Sequence, residues 1–452
     1  MLSNSRNGDR IWRRELDRRD FLHFLSLMSV ATVLPLGGCA KHPVTGERVL
    51  VGLSQAEEAR IDRRYAPQQY SQDFGAVRDA PLNRYLSEIG STIAKVSHRP
   101  QMQYSHRAVN ANYINAYTFP GGSMACTRGI LLELRDEAEL AALLGHETGH
   151  VNARHAAQRT GWEIMAGLAL AGVEVALAGS ERGDAWVPII IIAGEIGSSA
   201  LLASYSRENE READALGMEY LTRAGYPPVG MVGLAELLVR ESKEKPGLLD
   251  TMFGSHPMSS ERLQNMRTLA KSTYSLNAGA PRQRERYMDN TASLRAQRAG
   301  IEAQQRGERH MSRKRLGEAQ TEFTSALKVL PRDYAGLCLM AKCQIAQRRH
   351  DLAREYIAQA RAVYPGEAQA MQLLGVNAFG LRDYAGAIQA FNLYEKALPD
   401  NTSVAFLKGG AFEAMNDRAR AGREYRRYLE AGGKGGEARH AQARLRAWGL
   451  LK

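Results

Sequence analysis

His146-Glu147-Thr148-Gly149-His150 sets two imidazoles four residues apart in the chain. On a helix, residues at i and i+4 share a face, so both rings can close on one metal ion. Two neutral imidazoles with a carboxylate between them form the donor pattern of a catalytic zinc site. Zinc held in this way brings the pKa of water towards neutrality, and Glu147 is placed to take the proton as general base. The competing reading is a polar patch on an ordinary helix. The preceding run Asp136-Glu137-Ala138-Glu139-Leu140-Ala141-Ala142-Leu143-Leu144 favours the metal, because it carries strong helix formers and small or apolar residues directly into the motif.

A third protein ligand must come from elsewhere. A metzincin would have a histidine at 156 after a glycine at 153, and those positions hold Ala156 and Ala153. His155 is one position off and points to another face by helical rotation, which makes it a supporting or structural residue rather than a ligand. Further along, Ser206-Arg207-Glu208-Asn209-Glu210-Arg211-Glu212-Ala213-Asp214 sets Glu210 and Asp214 at i and i+4. On a second helix one carboxylate can bind the metal while the other orients a ligand imidazole through its second N–H. A solvated charged face is the alternative for so dense a run.

HETGH, followed after roughly sixty residues by SRENEREAD, resembles the HtpX/BepA-like zinc metallopeptidase family. The resemblance implies one Zn²⁺ per chain on His146, His150 and Glu210, with Glu147 as base and Asp214 assisting catalysis from behind the ligands. Asn115-Ala116-Tyr117-Thr118-Phe119-Pro120-Gly121-Gly122 resembles the family's substrate-side edge strand and turn, implying substrate contacts at Tyr117, Thr118, Phe119, Gly121 and Gly122. Such a strand can hold an extended peptide by main-chain hydrogen bonds, and a glycine pair permits close backbone approach. A plain hairpin with a Pro-Gly-Gly turn is the other reading. Gly254-Ser255-His256-Pro257 with Glu261-Arg262 resembles the loop whose histidine can approach the metal, making His256 a fourth ligand or gate. The likeness runs from about residue 42, where His42-Pro43-Val44-Thr45-Gly46-Glu47 also fits, to about 270.

Several arginines precede Arg18-Arg19-Asp20-Phe21-Leu22, and an apolar run then leads to Leu36-Gly37-Gly38-Cys39. This is the layout of a signal peptide over residues 1–38, too interrupted by Pro35 and Gly37-Gly38 to be a membrane span. The arginine pair resembles a twin-arginine signal, and residues 36–39 resemble a lipobox that would lipidate Cys39. Ala40 is not the aspartate that retains lipoproteins at the inner membrane. The resemblance therefore implies a lipid-anchored protein on the periplasmic face of the outer membrane of a Gram-negative bacterium. Cys126, Cys338 and Cys343 form no disulfide scaffold and are expected to be buried small side chains.

Two apolar stretches, 164–179 and 187–205, lie between the zinc motifs. Each is shorter than the roughly twenty residues of a span and is interrupted by Glu174 or Glu195, so buried or interfacial helices, able to cover the site, are expected. In the last third, Pro331, Pro365 and Pro399 recur at intervals of thirty-four. Ala319, Ala353, Ala387 and Ala421 keep the same register, as do the bulky Phe323, Ile357, Phe391 and Tyr425. That period is the tetratricopeptide pattern.

The expected fold is α+β and mainly helical. A gluzincin-like zinc metallopeptidase domain with a small edge-strand sheet over 39–280 is followed by a basic linker helix over 281–299. An α-solenoid of about four tetratricopeptide repeats over 300–435 and a capping helix over 436–452 complete it. The net charge of +11 suits anionic lipid surroundings. No nucleic-acid-binding signature accompanies it, and export would remove the chain from nucleic acid. By resemblance, the chain would hydrolyse misfolded or misassembled outer-membrane proteins, with the repeats engaging those clients or the barrel-assembly machinery. A chaperone or assembly scaffold with a dormant protease site is the alternative.

Overall fold

The computed structural model describes residues 39–161, 205–244, 247–399, 401–433 and 435–451. The expected signal peptide (1–38) and nearly all of the apolar region 164–205 lie outside these residues. Among the described residues, no helix is long and apolar enough to cross a membrane.

The described residues open on an antiparallel hairpin of β1 (Cys39–Lys41) and β2 (Arg48–Leu50). The helices Gln55–Gln72 and Ala80–Lys95 follow, each begun by a side-chain cap from Ser54 or Asp79. A three-stranded sheet comes next, in the order β3 (Ser105–Val109), β5 (Ser123–Thr127), β4 (Ala116–Thr118). β3 runs parallel and β4 antiparallel to β5, which leaves β4 on an edge.

The HETGH motif lies on the helix Glu137–Asn152, capped by the Asp136 carboxylate accepting from the Glu139 N–H. Every residue of this helix is buried, so its small and apolar residues pack on all sides and its charged ones require partners in the interior. It crosses a second helix, Arg207–Arg223, with almost no side chain between the backbones. A Cβ at Gly149 would stand 3.0 Å from the Ala213 carbonyl oxygen, and one at Gly217 would stand 2.9 Å from the His146 nitrogen. These glycines let Glu210 and Asp214 reach the motif histidines. The helices Val229–Glu244, Asp250–Ser255 and Ser260–Lys271 close the body around the pair.

The stretch 281–299, expected as one basic linker helix, is divided into the short helices Arg284–Asn290 and Ala292–Ala296, both packed on the body. Its cations answer the acidic start of the motif helix. Arg282 pairs with Asp136 and Glu139, and Arg286 pairs with Glu137, which also accepts from Tyr85 and Tyr226. Burial demands such pairing, because an unmatched carboxylate in the interior is costly.

Beyond it stand four antiparallel helix pairs: Arg298–Ser312 with Leu316–Val329, Tyr334–Ala346 with His350–Val363, Ala368–Gly380 with Tyr384–Ala397, and Ala405–Ala414 with Arg418–Glu430. The helix Gly435–Ala447 follows them. Lys314, Arg348, Arg382 and Asn416 each take a left-handed φ of 60–62° at the turn inside their pair, so the thirty-four-residue interval is present in the backbone as well. Phe323, Phe391 and Tyr425 each lie on a glycine of the partner helix: Gly307, Gly375 and Gly409. Where the bulky residue is the smaller Ile357, the matching position holds Ala341.

The two regions meet at Arg128, a fully buried guanidinium. It donates to both oxygens of Asp333 at 2.7 and 3.1 Å, to Gln304 and to Asn112. Asp333 caps the helix Tyr334–Ala346, and Arg128 holds its carboxyl below the usual range against the opposing effect of burial.

Candidate metal centre

The motif helix sends His146 and His150 towards the second helix, and their Nε2 atoms stand 3.1 Å apart. Glu210 faces them, its Oε1 3.3 Å from His150 Nε2 and its Oε2 3.7 Å from His146 Nε2. His256, at the C-terminus of the helix Asp250–Ser255, points its Nδ1 into the same space, 2.9 Å from Glu210 Oε1 and 3.4 Å from His146 Nε2. All four donor atoms lie within 4.8 Å of one another, and all four residues are buried.

This set fits a metal. Donors at about 2.0–2.1 Å from a tetrahedral ion stand about 3.3 Å apart, close to the separations seen here. Burial pushes the pKa of His150 well below its ordinary value, leaving the neutral imidazole that ligation requires. Burial likewise raises Glu147. Both Glu147 carboxylate oxygens are buried without a hydrogen-bond partner among the described residues. A buried carboxylate left this way calls for water or an ion beside it. Burial opposes charge on His256, yet the facing Glu210 and Glu147 carboxylates outweigh it and raise its pKa.

Behind the donors stands a supporting layer. Asp214 Oδ1 lies 3.0 Å from His146 Nδ1 and fixes that ring. Arg262 clamps Asp214 through two 2.7 Å hydrogen bonds and reaches Glu210 Oε2 at 2.6 Å. The Tyr205 ring stacks on His150 with centroids 4.0 Å apart. Neither the clamp nor the stacking is readable from spacing, since each depends on segments that meet only on folding.

The anticipated substrate strand is β4 at the sheet edge, and Tyr117, Thr118 and Phe119 are all buried there. The Tyr117 hydroxyl donates to Asp73 at 2.6 Å. The glycine pair serves the β4–β5 hairpin itself. Gly122 takes φ +102°, and a Cβ on Gly121 would stand 2.5 Å from that of Asp62. Cys126, Cys338 and Cys343 are free and buried, as expected.

A family model described as peptidase family M48 matches residues 81–270, the span holding both motifs and His256. The chain carries a peptidase family M48 domain. It is 30% identical over 204 residues to a putative beta-barrel assembly-enhancing protease of Vibrio cholerae, covering 43% of this chain and 40% of the relative. Identity to the beta-barrel assembly-enhancing protease of Escherichia coli strain K12 is 26% over 269 residues, covering 57% and 53%. The metalloprotease LoiP of the same strain is 26% identical over 54% of this chain and 94% of its own length. The chain thus spans about half the length of the beta-barrel assembly-enhancing relatives it matches.

Proposed function

We propose that the M48 domain is a zinc-dependent endopeptidase acting on misfolded or misassembled outer-membrane proteins. His146, His150 and Glu210 would hold zinc, and Asp214 would hold the ring of His146. When bound, zinc would supply Lewis-acid polarisation of a peptide carbonyl and acidify a water. Glu147 would accept the proton from that water and return it to the leaving amine. The observation that carries this reading is the convergence of four buried donors beside a buried Glu147 whose carboxylate oxygens make no hydrogen bond among the described residues, His256 Nε2 standing 3.8 Å from one of them. Edge strand β4, with Tyr117 to Gly122, would align an extended substrate.

The helix pairs, read as tetratricopeptide repeats, would bind clients or the barrel-assembly machinery. The similarity to beta-barrel assembly-enhancing proteases supports this client class. Lipidation at Cys39 after twin-arginine export would anchor the chain at the periplasmic face of the outer membrane.

Glu147→Gln tests the reading: it should keep one zinc per chain and lose casein hydrolysis by about 10²–10⁴-fold. Undiminished hydrolysis would remove Glu147 from the base role, and absence of zinc from the parent would remove the metal.

One observation favours a second state. His256 already stands among the donors, so as a fourth ligand it would fill the position that water needs. In this state the chain acts as a chaperone or scaffold until the His256 loop moves. His256→Ala should then retain zinc and hydrolyse unfolded substrate faster than the parent; a large loss of turnover with zinc retained would make His256 a transition-state stabiliser instead.

A further inference from the structure

The motif helix stops at Asn152, and the turn after it does not continue the helical rotation. Arg154 takes a left-handed φ of +58°, locked by its guanidinium donating to Glu58 at 2.9 Å and to the Leu53 carbonyl at 2.7 Å. This turn brings His155 back against His150, with Nδ1 to Nδ1 at 2.9 Å. His155 Nε2 in turn faces Glu212 Oε2 at 3.1 Å, and the other oxygen of Glu212 faces His42 Nε2 at 3.5 Å. His42 and His155 are both buried.

The protons along this row can be assigned from its far end. The Nδ1 of His42 accepts from the backbone N–H groups of Val44 and Thr45, at 3.3 and 3.2 Å, so the ring hydrogen sits on Nε2 and faces Glu212. Glu212, as a carboxylate, can only accept, which puts the His155 hydrogen on Nε2. His155 Nδ1 is then an acceptor, and the hydrogen in the 2.9 Å contact belongs to His150 Nδ1. That is the tautomer whose Nε2 lone pair is free to ligate, and Nε2 is the atom that faces His146 and Glu210. His42 follows directly on β1, in the turn closed by hydrogen bonds from His42 N to Glu47 O and from Gly46 N to His42 O. The hairpin is also seated on the segment after the motif helix: Gly52 N donates to Ala157 O at 2.8 Å, and a Cβ on Gly52 would stand 2.6 Å from Gly161 N.

We propose that His155, Glu212 and His42 are positioning residues for the metal centre, forming a hydrogen-bonded row that fixes the tautomer and orientation of His150 and makes the N-terminal hairpin part of the site. This rests on the zinc reading above. The hairpin begins at Cys39, so the segment that would emerge from a lipid anchor is tied to a metal ligand through three side chains.

The experiment measures competitive zinc affinity and zinc release to a chelator in the purified full-length protein, with hydrolysis alongside. His155→Phe, which keeps the ring's bulk and removes both nitrogens, should weaken zinc by about 10–100-fold. His155→Gln should recover most of that loss, because its amide oxygen can accept from His150 Nδ1–H while its NH₂ donates to Glu212. Glu212→Gln and His42→Phe should each give a smaller loss in the same direction, and their double variant should be no worse than the stronger single one, since they break the same row. Parental affinity in a folded His155→Phe, or equal affinities for the Phe and Gln variants, would overturn the proposal. So would strictly additive losses at His42 and Glu212. Should His155→Phe not fold, Glu212→Gln on the partly exposed carboxylate decides alone, parental affinity overturning the proposal. Failure of the parent to bind zinc would sink the zinc reading, a result distinguishable from all of these.

Discussion

Two kinds of helix crossing organise this molecule, and both depend on glycine. Where the motif helix meets Arg207–Arg223, Gly145, Gly149 and Gly217 remove side chains so that two backbones nearly touch. In the C-terminal pairs, Gly307, Gly375 and Gly409 make room for a ring instead. The first crossing uses its closeness for polarity: buried carboxylates and imidazoles are forced into one small space. The second uses it for apolar packing, each ring worth about 1.5–3 kcal/mol on burial, repeated at a fixed interval. A site thus rests on one crossing that must be right, whereas the pairs distribute the same device over several units.

The sharpest way to break this comparison is to fill a glycine in each region. Gly217→Val would drive a side chain into the His146 backbone and the Met231 methyl, and the helices would have to separate. Zinc binding and hydrolysis should both be lost, with about 1–3 kcal/mol of destabilisation from overpacking. Gly375→Val would clash with the Phe391 ring, far from the metal ligands in the chain, and should cost a similar stability while leaving zinc content and cleavage of a short peptide at parental levels. Equal loss of zinc in both variants would mean that the two regions fail as one.

Arg128→Met tests how far they do. It would leave Asp333 buried without its cation, a change that costs about 3–5 kcal/mol. Because this pair joins the M48 domain to the second helix pair, thermal unfolding should split into two transitions. A single transition shifted as a whole would show that packing, not this pair, couples the regions.

The third effect is confined to the M48 domain and to acid. His106 on β3 is buried without a partner for Nε2 among the described residues, and burial depresses its pKa from 6.5 to about 4. The folded state therefore refuses a proton that the unfolded chain accepts below pH 6.5. Stability should fall as pH drops from about 6.5 to about 4, by roughly 3 kcal/mol in all, and level off below. His106→Gln should flatten that part of the pH profile measured by denaturant unfolding. An unchanged slope would assign acid sensitivity to other groups.

Much of this architecture was legible before folding, for identifiable reasons. The i, i+4 spacings of His146 with His150 and of Glu210 with Asp214 are local, and helical geometry alone puts each pair on one face. The thirty-four-residue interval is legible because each helix pair packs mainly on its neighbours, so the pattern repeats in sequence as it does in space. The basic stretch 281–299 was harder. Its charges look like a solvated linker until the acidic start of the motif helix is brought against Arg282 and Arg286.

His155 marks the boundary most clearly. Helical rotation would turn it to another face than His146 and His150, but the helix ends at Asn152 and His155 comes back against His150. What the residue does instead depends on the left-handed turn at Arg154, and that turn is held by Glu58 and Leu53, roughly a hundred residues earlier in the chain. The same holds for the Arg262 clamp on Asp214 and for the entry of His256 between Glu210 and His146. The sequence determined which side chains could bind a metal, because donor chemistry and helical periodicity are local properties. Only the tertiary structure decided which of them converge and what holds each ring, because those contacts join segments that no local rule relates.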